Sequence, residues 1–549
     1  MLVSDSGLGP SGLVELALAA LLVALALVWR GPALGLAQRL ARSMAWSMIL
    51  LAVLPVVLRL CLLPHHPIPT PNIYDEFSHL LEADTLRHFR LANTPHPLHR
   101  FFETFFVLQQ PTYSSIYPPG QGLSLAIGWT LFGHPWAGVA MACAALCALT
   151  YWMLRGWVSA GWALAGGLLA VIEFGPLNRW MNEYWGGALV AAAGCLVFGA
   201  LPRLAANARR RDAILLGVGL SIHLLARPYE SIYLFVAALA FFLPAWRKPA
   251  ELRPLAKVLP MTGLVAVAAI AFLLVQNKQV TGSWTTMPEM LCQYQYGVPS
   301  AFTFQPNPLP HYPLTPEQAM DYRMQLSFHG PRTDTLATFL TRLEFRVRYY
   351  RFYFLPPLYL ALAAFLTTLR RYRFAWAAGT LALLALGANF FPAFQLHYVA
   401  AGTCLFLLIA VVGLERIHGW LPEAARLLIF LCVAQFLFWY GLHAFFDTAP
   451  VLRYETWDAI NPGNPERRIL VNEELAKIPG KLVVFVRYSP HHIFQDEWVY
   501  NRADIDGSRV VWARDLGDEE DRQLRAYYPD RTALLLEPDR QPPELTPLP

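Results

Sequence analysis

Long apolar runs constrain this chain before anything else does. A helix needs about 17 to 25 predominantly apolar residues to cross a bilayer. Such runs recur at Leu13 to Trp29, Met44 to Leu63, Trp136 to Leu154, Trp185 to Leu201, Tyr229 to Trp246, Val258 to Val275, Phe352 to Leu369, Phe374 to Phe391, Val399 to Leu414 and Leu427 to Phe446, with shorter ones at Ala160 to Phe174 and Ala213 to Leu225. Together they predict an all-α polytopic membrane protein of roughly a dozen transmembrane helices. Of the 549 residues only 15% are charged, and the mean hydropathy is +0.37. Soluble domains carry about 25% charged residues, so a cytosolic enzyme and a disordered chain are both excluded. The net charge of +5 resides in short basic clusters between apolar runs, which marks membrane orientation and not a nucleic-acid footprint.

Six of the seven cysteines (Cys61, Cys143, Cys147, Cys195, Cys404 and Cys432) lie within apolar runs, as small core residues, so neither a disulfide framework nor a cysteine metal site is expected. The opening MLVSDSGLGP has an acid where a signal peptide would have basic residues, so the first run is expected to be a retained span.

Retention of Lys and Arg on the cytoplasmic side orients the spans. With Arg39, Arg42, Arg155, Arg203, Arg209 to Arg211, Arg247, Lys248, Arg370, Arg371, Arg373, Arg416 and Arg426 inside, the long loops 64–135 and 277–351 fall outside the cytoplasmic membrane. The run Gly122 to Gly133 then cannot be a span, because crossing there would put Arg155 and the Arg209 to Arg211 cluster outside; it is expected to lie in or near the outer interface. Residues 1–446 thus form the membrane part. The tail, 447–549, shifts in composition: buried strands are expected at Lys481 to Val486, Arg509 to Ala513 and Thr532 to Leu536, with helices before the first and after the second, as a small extracytoplasmic α/β domain.

The polar groups worth testing gather on the outer side. Asp75 and Glu76 open a helix-period stretch reaching Leu91, on which Asp84 and His88 interrupt the apolar face. Asp75 is either a helix N-cap or a general base, and the adjacent carboxylates either take a proton from an acceptor hydroxyl or hold a divalent cation; the sequence leaves the metal open. Asp84 with His88 reads as a structural ion pair or a shared ligand site. Further along stand His96, His99, Glu103 and the Tyr117-Pro118-Pro119 turn. The two short spans lead into Asn178, Arg179, Asn182, Glu183 and Tyr184, and into Arg227, Tyr229 and Glu230. Ionisable groups there border a cavity or snorkel to the interface. The second long loop ends in Arg342, Arg346, Arg348 and Arg351 among aromatics, suited to a lipid phosphate or to headgroups in general, and a last outer loop offers Gln395, His397 and Tyr398.

Tyr74-Asp75-Glu76 after an early span, followed by a long loop with a helix, a proline pair and a short apolar helix, resembles the GT-C superfamily of membrane glycosyltransferases, most closely the branch of protein mannosyltransferases and aminoarabinose transferases. The resemblance covers Asn72 to Trp246. It implies transfer of a sugar from a polyprenyl-phosphate donor to an acceptor hydroxyl of a glycan, lipid or protein at the outer face, with Asp75 in the place of the family's loop acid, Glu76 beside it and Glu183 as a second acid. Tyr117-Pro118-Pro119 stands where the mannosyltransferases carry His-Pro-Pro, and the span Leu13 to Trp29 is additional. Outside the membrane no nucleotide-sugar pool exists, so an activated sugar must arrive on lipid and its phosphate must be gripped. The reading assigns Asp75, Glu76 and Glu183 to catalysis and Asp84, His88, Glu103, Tyr117, Asn182, Arg227, Glu230, Arg348, Arg351 and His397 to substrate binding. A transporter or flippase of a lipid-linked or small polar substrate is the rival reading, although no internal repeat is visible. A third is a sensor whose tail, with His491, His492, Asp496 and Glu497, is the working part.

Overall fold

The structure, a computed structural model, describes residues 32–445 and 465–548, together with Leu21 and Ile460. The expected span Leu13 to Trp29, apart from Leu21, and the start of the tail at Asp447 lie outside the described residues.

An amphipathic helix, α1 (Pro32–Arg42), leads into α2 (Met44–Cys61). The first long loop folds into α3 (Tyr74–Arg87), two short antiparallel strands, β1 (Val107–Leu108) and β2 (Ser114–Ser115), and α4 (Pro119–Phe132). There follow α5 (Trp136–Leu154), α6 (Ala160–Phe174), α7 (Ala188–Asn207), α8 (Arg210–Ala226), α9 (Pro228–Phe241), the single turn α10 (Leu243–Trp246) and α11 (Pro249–Thr281). The second long loop holds α12 (Pro288–Tyr296), α13 (Pro316–His329) and α14 (Leu336–Val347). Then come α15 (Tyr359–Phe365), α16 (Tyr372–Ala388), α17 (Thr403–Trp420) and α18 (Pro422–Phe445).

Six helical segments among the described residues are long and apolar enough to cross a membrane, namely α2, α5, α7, α11, α17 with its preceding turn, and α18. The chain is a multi-pass membrane protein. Two expected runs are broken where proline removes a backbone donor. Tyr229 to Trp246 stops at Phe241 and restarts as α10 around Pro244. Phe352 to Leu369 becomes 3₁₀ turns around Pro356 flanking the seven-residue α15. Helix α3 ends at Arg87, not Leu91, which leaves His88 as its C-cap.

Close approaches fix how these helices meet. A Cβ on Gly194 of α7 would lie 2.0 Å from the Ala401 carbonyl oxygen, and one on Gly120 of α4 would lie 2.8 Å from the Ala226 amide nitrogen. Only glycine fits at either place. The first contact seats the turn carrying His397 and Tyr398 on α7, and the second seats the Tyr117 turn against the end of α8.

In the tail, α19 (Glu466–Lys477) precedes β3 (Lys481–Val486); β4 (Val510–Arg514), α20 (Asp518–Tyr527), β5 (Arg531–Glu537) and β6 (Glu544–Pro547) complete it. The sheet order is β4-β3-β5-β6, parallel except for the β5–β6 pair. A parallel sheet requires cover on both faces. One face packs on Val471 and Leu475 of α19; the other, through Val483, Phe485 and Val511, packs on Leu81, Phe101, Phe102 and Tyr113 of the first long loop. Polar contacts tie the same surfaces: the Ala503 amide donates to Asp84 Oδ2 at 2.9 Å, Tyr113 Oη to the Asn501 carbonyl at 3.0 Å, and Arg514 Nε to the Glu103 carbonyl at 2.8 Å.

Candidate active site around Asp75

Ile73 occupies the N-cap of α3, so Asp75 sits one residue inside the first turn and is not the cap. Both Asp75 and Glu76 are buried. Their environments differ. Glu76 is saturated by backbone donors: Oε2 accepts from Asn72 N at 2.8 Å and Ile73 N at 3.2 Å, and Oε1 accepts from Tyr184 N at 2.8 Å. It therefore fastens the start of α3 to the loop after α6. Asp75 Oδ1 instead accepts a hydrogen bond from the Tyr117 hydroxyl, and the Tyr117 ring stacks on His79 at 4.1 Å.

The Asp75 carboxyl is pushed up to about 7, chiefly by burial and further by Glu76, against the opposing pull of the Tyr117 hydrogen bond and of the Arg227 charge. Arg227 thus acts electrostatically on Asp75. Its guanidinium lies 5.0 Å from the Tyr398 ring centroid and 3.9 Å from Glu230 Oε1, which is buried and without a hydrogen-bond partner. Tyr398 packs on His397 at 4.9 Å, and His397 on Trp185 at 4.9 Å. Arg179 lies over Trp185 at 5.4 Å and pairs with Glu183. Asp75, Tyr117, Arg227, Glu230, His397 and Glu183 consequently line one connected cluster, built from α3, the α4 entry, the α8–α9 junction, the turn before α17 and the loop after α6.

Other candidates stand elsewhere. Asp84 pairs with Arg87 at 2.6 Å and holds the tail through Ala503, while His88 is half exposed beside it. Glu103 accepts from Tyr296 Oη at 2.8 Å beside His99, against the tail. Asn182 accepts from Arg59 Nε at 2.7 Å and donates to two backbone carbonyls, which makes it a brace of the loop. Arg348 and Arg351 are exposed, and Arg348 rests 3.6 Å over the Phe345 ring. Arg346 and Arg342 of that series turn inward: Arg346 is consumed by the carbonyls of Ala388, Phe391 and Pro392, and Arg342 by the Asn389 carbonyl and Asp334. The arginines placed at the Asp75 cluster are Arg227, beside Glu230, and Arg179, paired with Glu183.

Several residues join the cluster that the sequence did not single out. His79 is held down at about 3 by burial and by Arg227, so it is neutral, and its Nδ1 has no partner. Asp321, fully buried on α13 of the second long loop, accepts from Gln325 Nε2 at 2.9 Å and is pushed up to about 7 by burial, against Gln325, with Asp75 adding to the rise. Glu289 on α12 feels Glu230 and Arg227 and is likewise pushed up to about 7, mostly by burial. The proximity of α12 and α13 to the first long loop was the missing information; α13 reaches that loop through Gln318 Nε2, which donates to the Thr104 carbonyl at 3.1 Å. Among the described residues no three His, Cys, Asp or Glu side chains converge as a metal cage.

These acids give stability a definite pH dependence. Asp75, Asp321 and Glu82, the last pushed up to about 8 chiefly by burial, keep protons that the unfolded chain loses at about 4. The folded state therefore binds more protons than the unfolded one between about pH 4 and pH 7 to 8, and stability falls as pH rises through that window. Thermal melts in detergent should show a lower Tm at about pH 8 than at about pH 5, and Asp321→Asn should flatten that slope. An unchanged slope in the variant would remove Asp321 from the account.

No protein-family model matches the chain, and no curated protein matches it. Solved structures do. The chain is similar to ArnT from Cupriavidus metallidurans in the apo state, with a TM-score of 0.52 at 12% identity over 90% of this chain and 93% of that one. ArnT bound to undecaprenyl phosphate gives 0.49 at 12% identity over 89% and 92%, and the Archaeoglobus fulgidus oligosaccharyltransferase in the apo form 0.43 at 12% identity over 81% and 62%. Both proteins are GT-C glycosyltransferases, and the likeness to apo ArnT shows that this chain shares the fold.

Proposed function

We propose, from a GT-C fold that brings a buried acid and an arginine into one cluster, that the chain transfers a sugar from a polyprenyl-phosphate donor to an acceptor hydroxyl at the outer face of the cytoplasmic membrane. The observation that carries this reading is the Asp75 cluster itself. A carboxyl poised near neutrality, fixed by a tyrosine hydroxyl and set opposite an arginine, meets the two demands of the reaction. Asp75 takes the proton of the acceptor hydroxyl as that oxygen attacks the anomeric carbon; the bond from that carbon to the phosphate oxygen breaks, and Arg227 holds the charge left on the lipid phosphate. Tyr117 keeps the Asp75 carboxylate oriented. Glu76 and Glu183 act by position, one binding the Tyr184 amide and the other holding Arg179 beside Trp185. The base needs no cation in this scheme.

The undecaprenyl phosphate in the second ArnT structure belongs to that protein. For this chain the test is direct. Purified protein is incubated with a panel of polyprenyl-phosphate sugars, and release of polyprenyl phosphate is scored with and without hydroxyl acceptors. Turnover with at least one donor is expected. Intact donors throughout, with movement of lipid between leaflets in vesicles, would replace the transferase with the flippase.

A further inference from the structure

The basic loops do more than orient the spans, because three of their arginines converge on one concavity. Trp157 and Ser159 before α6, Arg371 and Arg373 at the start of α16, and Glu415, Arg416 and Trp420 at the end of α17 line a cleft of about 450 Å³. Three helices join this cleft to the Asp75 cluster. α6 runs from Ser159 towards the Asn182–Glu183 loop, α16 from Arg371 towards Asn389, and α17 from the His397–Tyr398 turn to Trp420. Of these, the segment from the His397 turn to Trp420, Leu396–Trp420, is by its 25 residues and its composition long and apolar enough to cross a bilayer. The cleft and the acid cluster therefore face opposite sides of the membrane.

We infer that this cleft binds a phosphate-bearing anion, of the kind an acidic phospholipid presents at that surface. Its arginines outnumber the single lining carboxylate, Glu415. Ser159 and Arg371 are the N-caps of α6 and α16, and neither side chain caps its helix, so two helix N-termini border the same concavity. Arg416 lies 5.6 Å from the Trp420 ring centroid, and Trp420 is 55% exposed, which is the placement of an interfacial tryptophan at headgroup depth. A topological preference for Lys and Arg explains their presence in these loops; it does not gather three of them from two separate segments around a cleft of ligand size. A lipid phosphate and a free phosphate share the recognition chemistry, and experiment separates them.

The full-length protein in phosphatidylcholine nanodiscs is melted with increasing phosphatidylglycerol, and in parallel with inorganic phosphate at matched concentration. A rise in Tm of a few degrees with phosphatidylglycerol is expected, together with loss of most of that rise in R371Q/R416Q. Arg416→Lys retains part of it, which guards against a variant that is merely less stable. A rise with inorganic phosphate alone that the double variant loses supports the site and assigns it to a soluble anion. No rise in the unmodified protein, or an equal rise in the double variant, overturns the inference.

Discussion

Asp75→Asn should abolish turnover while leaving the protein folded. General bases contribute about 10²- to 10⁴-fold, so carrier release should fall by that factor, with KM for the donor little changed. Asparagine preserves the size of the side chain and an acceptor for the Tyr117 hydroxyl, and it replaces a carboxyl whose ionised form burial already disfavours. Melting should therefore not suffer, and above about pH 7 it should improve. The unmodified protein carries a second signature. Because the base must be ionised, kcat/KM should climb with pH through about 7, where an exposed aspartate would already have levelled off near 4. Retained turnover in Asp75→Asn, or an acid limb near pH 4, would dismiss Asp75 as the base.

Periodicity and charge made the helices legible because bilayer thickness imposes one length on every span and solvent imposes one composition on the loops between them. They did not show where a span would break, since Pro244 and Pro356 lie inside runs that remain apolar. The candidate site was legible to the extent that its residues are acids or arginines close to helix ends: Asp75, Arg227 and Glu230 fall in one cluster, as does His397. The arginine series 342–351 was opaque for a physical reason. An interfacial arginine can hold a ligand phosphate or backbone carbonyls equally well, and it is the fold that commits Arg346 to the carbonyls of Ala388, Phe391 and Pro392. Pattern also could not reveal that the sheet of the tail takes half its cover from the first long loop, since the stacking of Phe77 on Tyr500 at 4.3 Å joins residues far apart in sequence. Asp84, polar on a buried face, is explained by that docking.

Arg227→Gln should be the second severe lesion, and its comparison with Arg348→Gln isolates the phosphate grip. Removing one preorganised donor from a developing oxyanion costs about 10²- to 10³-fold in kcat, and a charged donor in a buried cluster belongs at the upper end. Arg227 is the arginine whose charge reaches both Asp75 and Tyr117, and close packing of Gly120 on Ala226 fixes that proximity. Arg348, exposed and laid over Phe345, should tolerate glutamine with turnover near that of the unmodified protein. Arg227→Lys should recover only part of the loss, since an ammonium keeps the charge but not the bidentate fork or the stacking over Tyr398. A further consequence separates this role from simple scaffolding. Without Arg227 the Asp75 carboxyl loses a nearby positive charge, so the acid limb of kcat/KM should move above its place in the unmodified protein. If Arg227→Gln instead keeps its turnover and Arg348→Gln loses it, the phosphate lies over the second long loop and the cluster around Asp75 serves the acceptor alone.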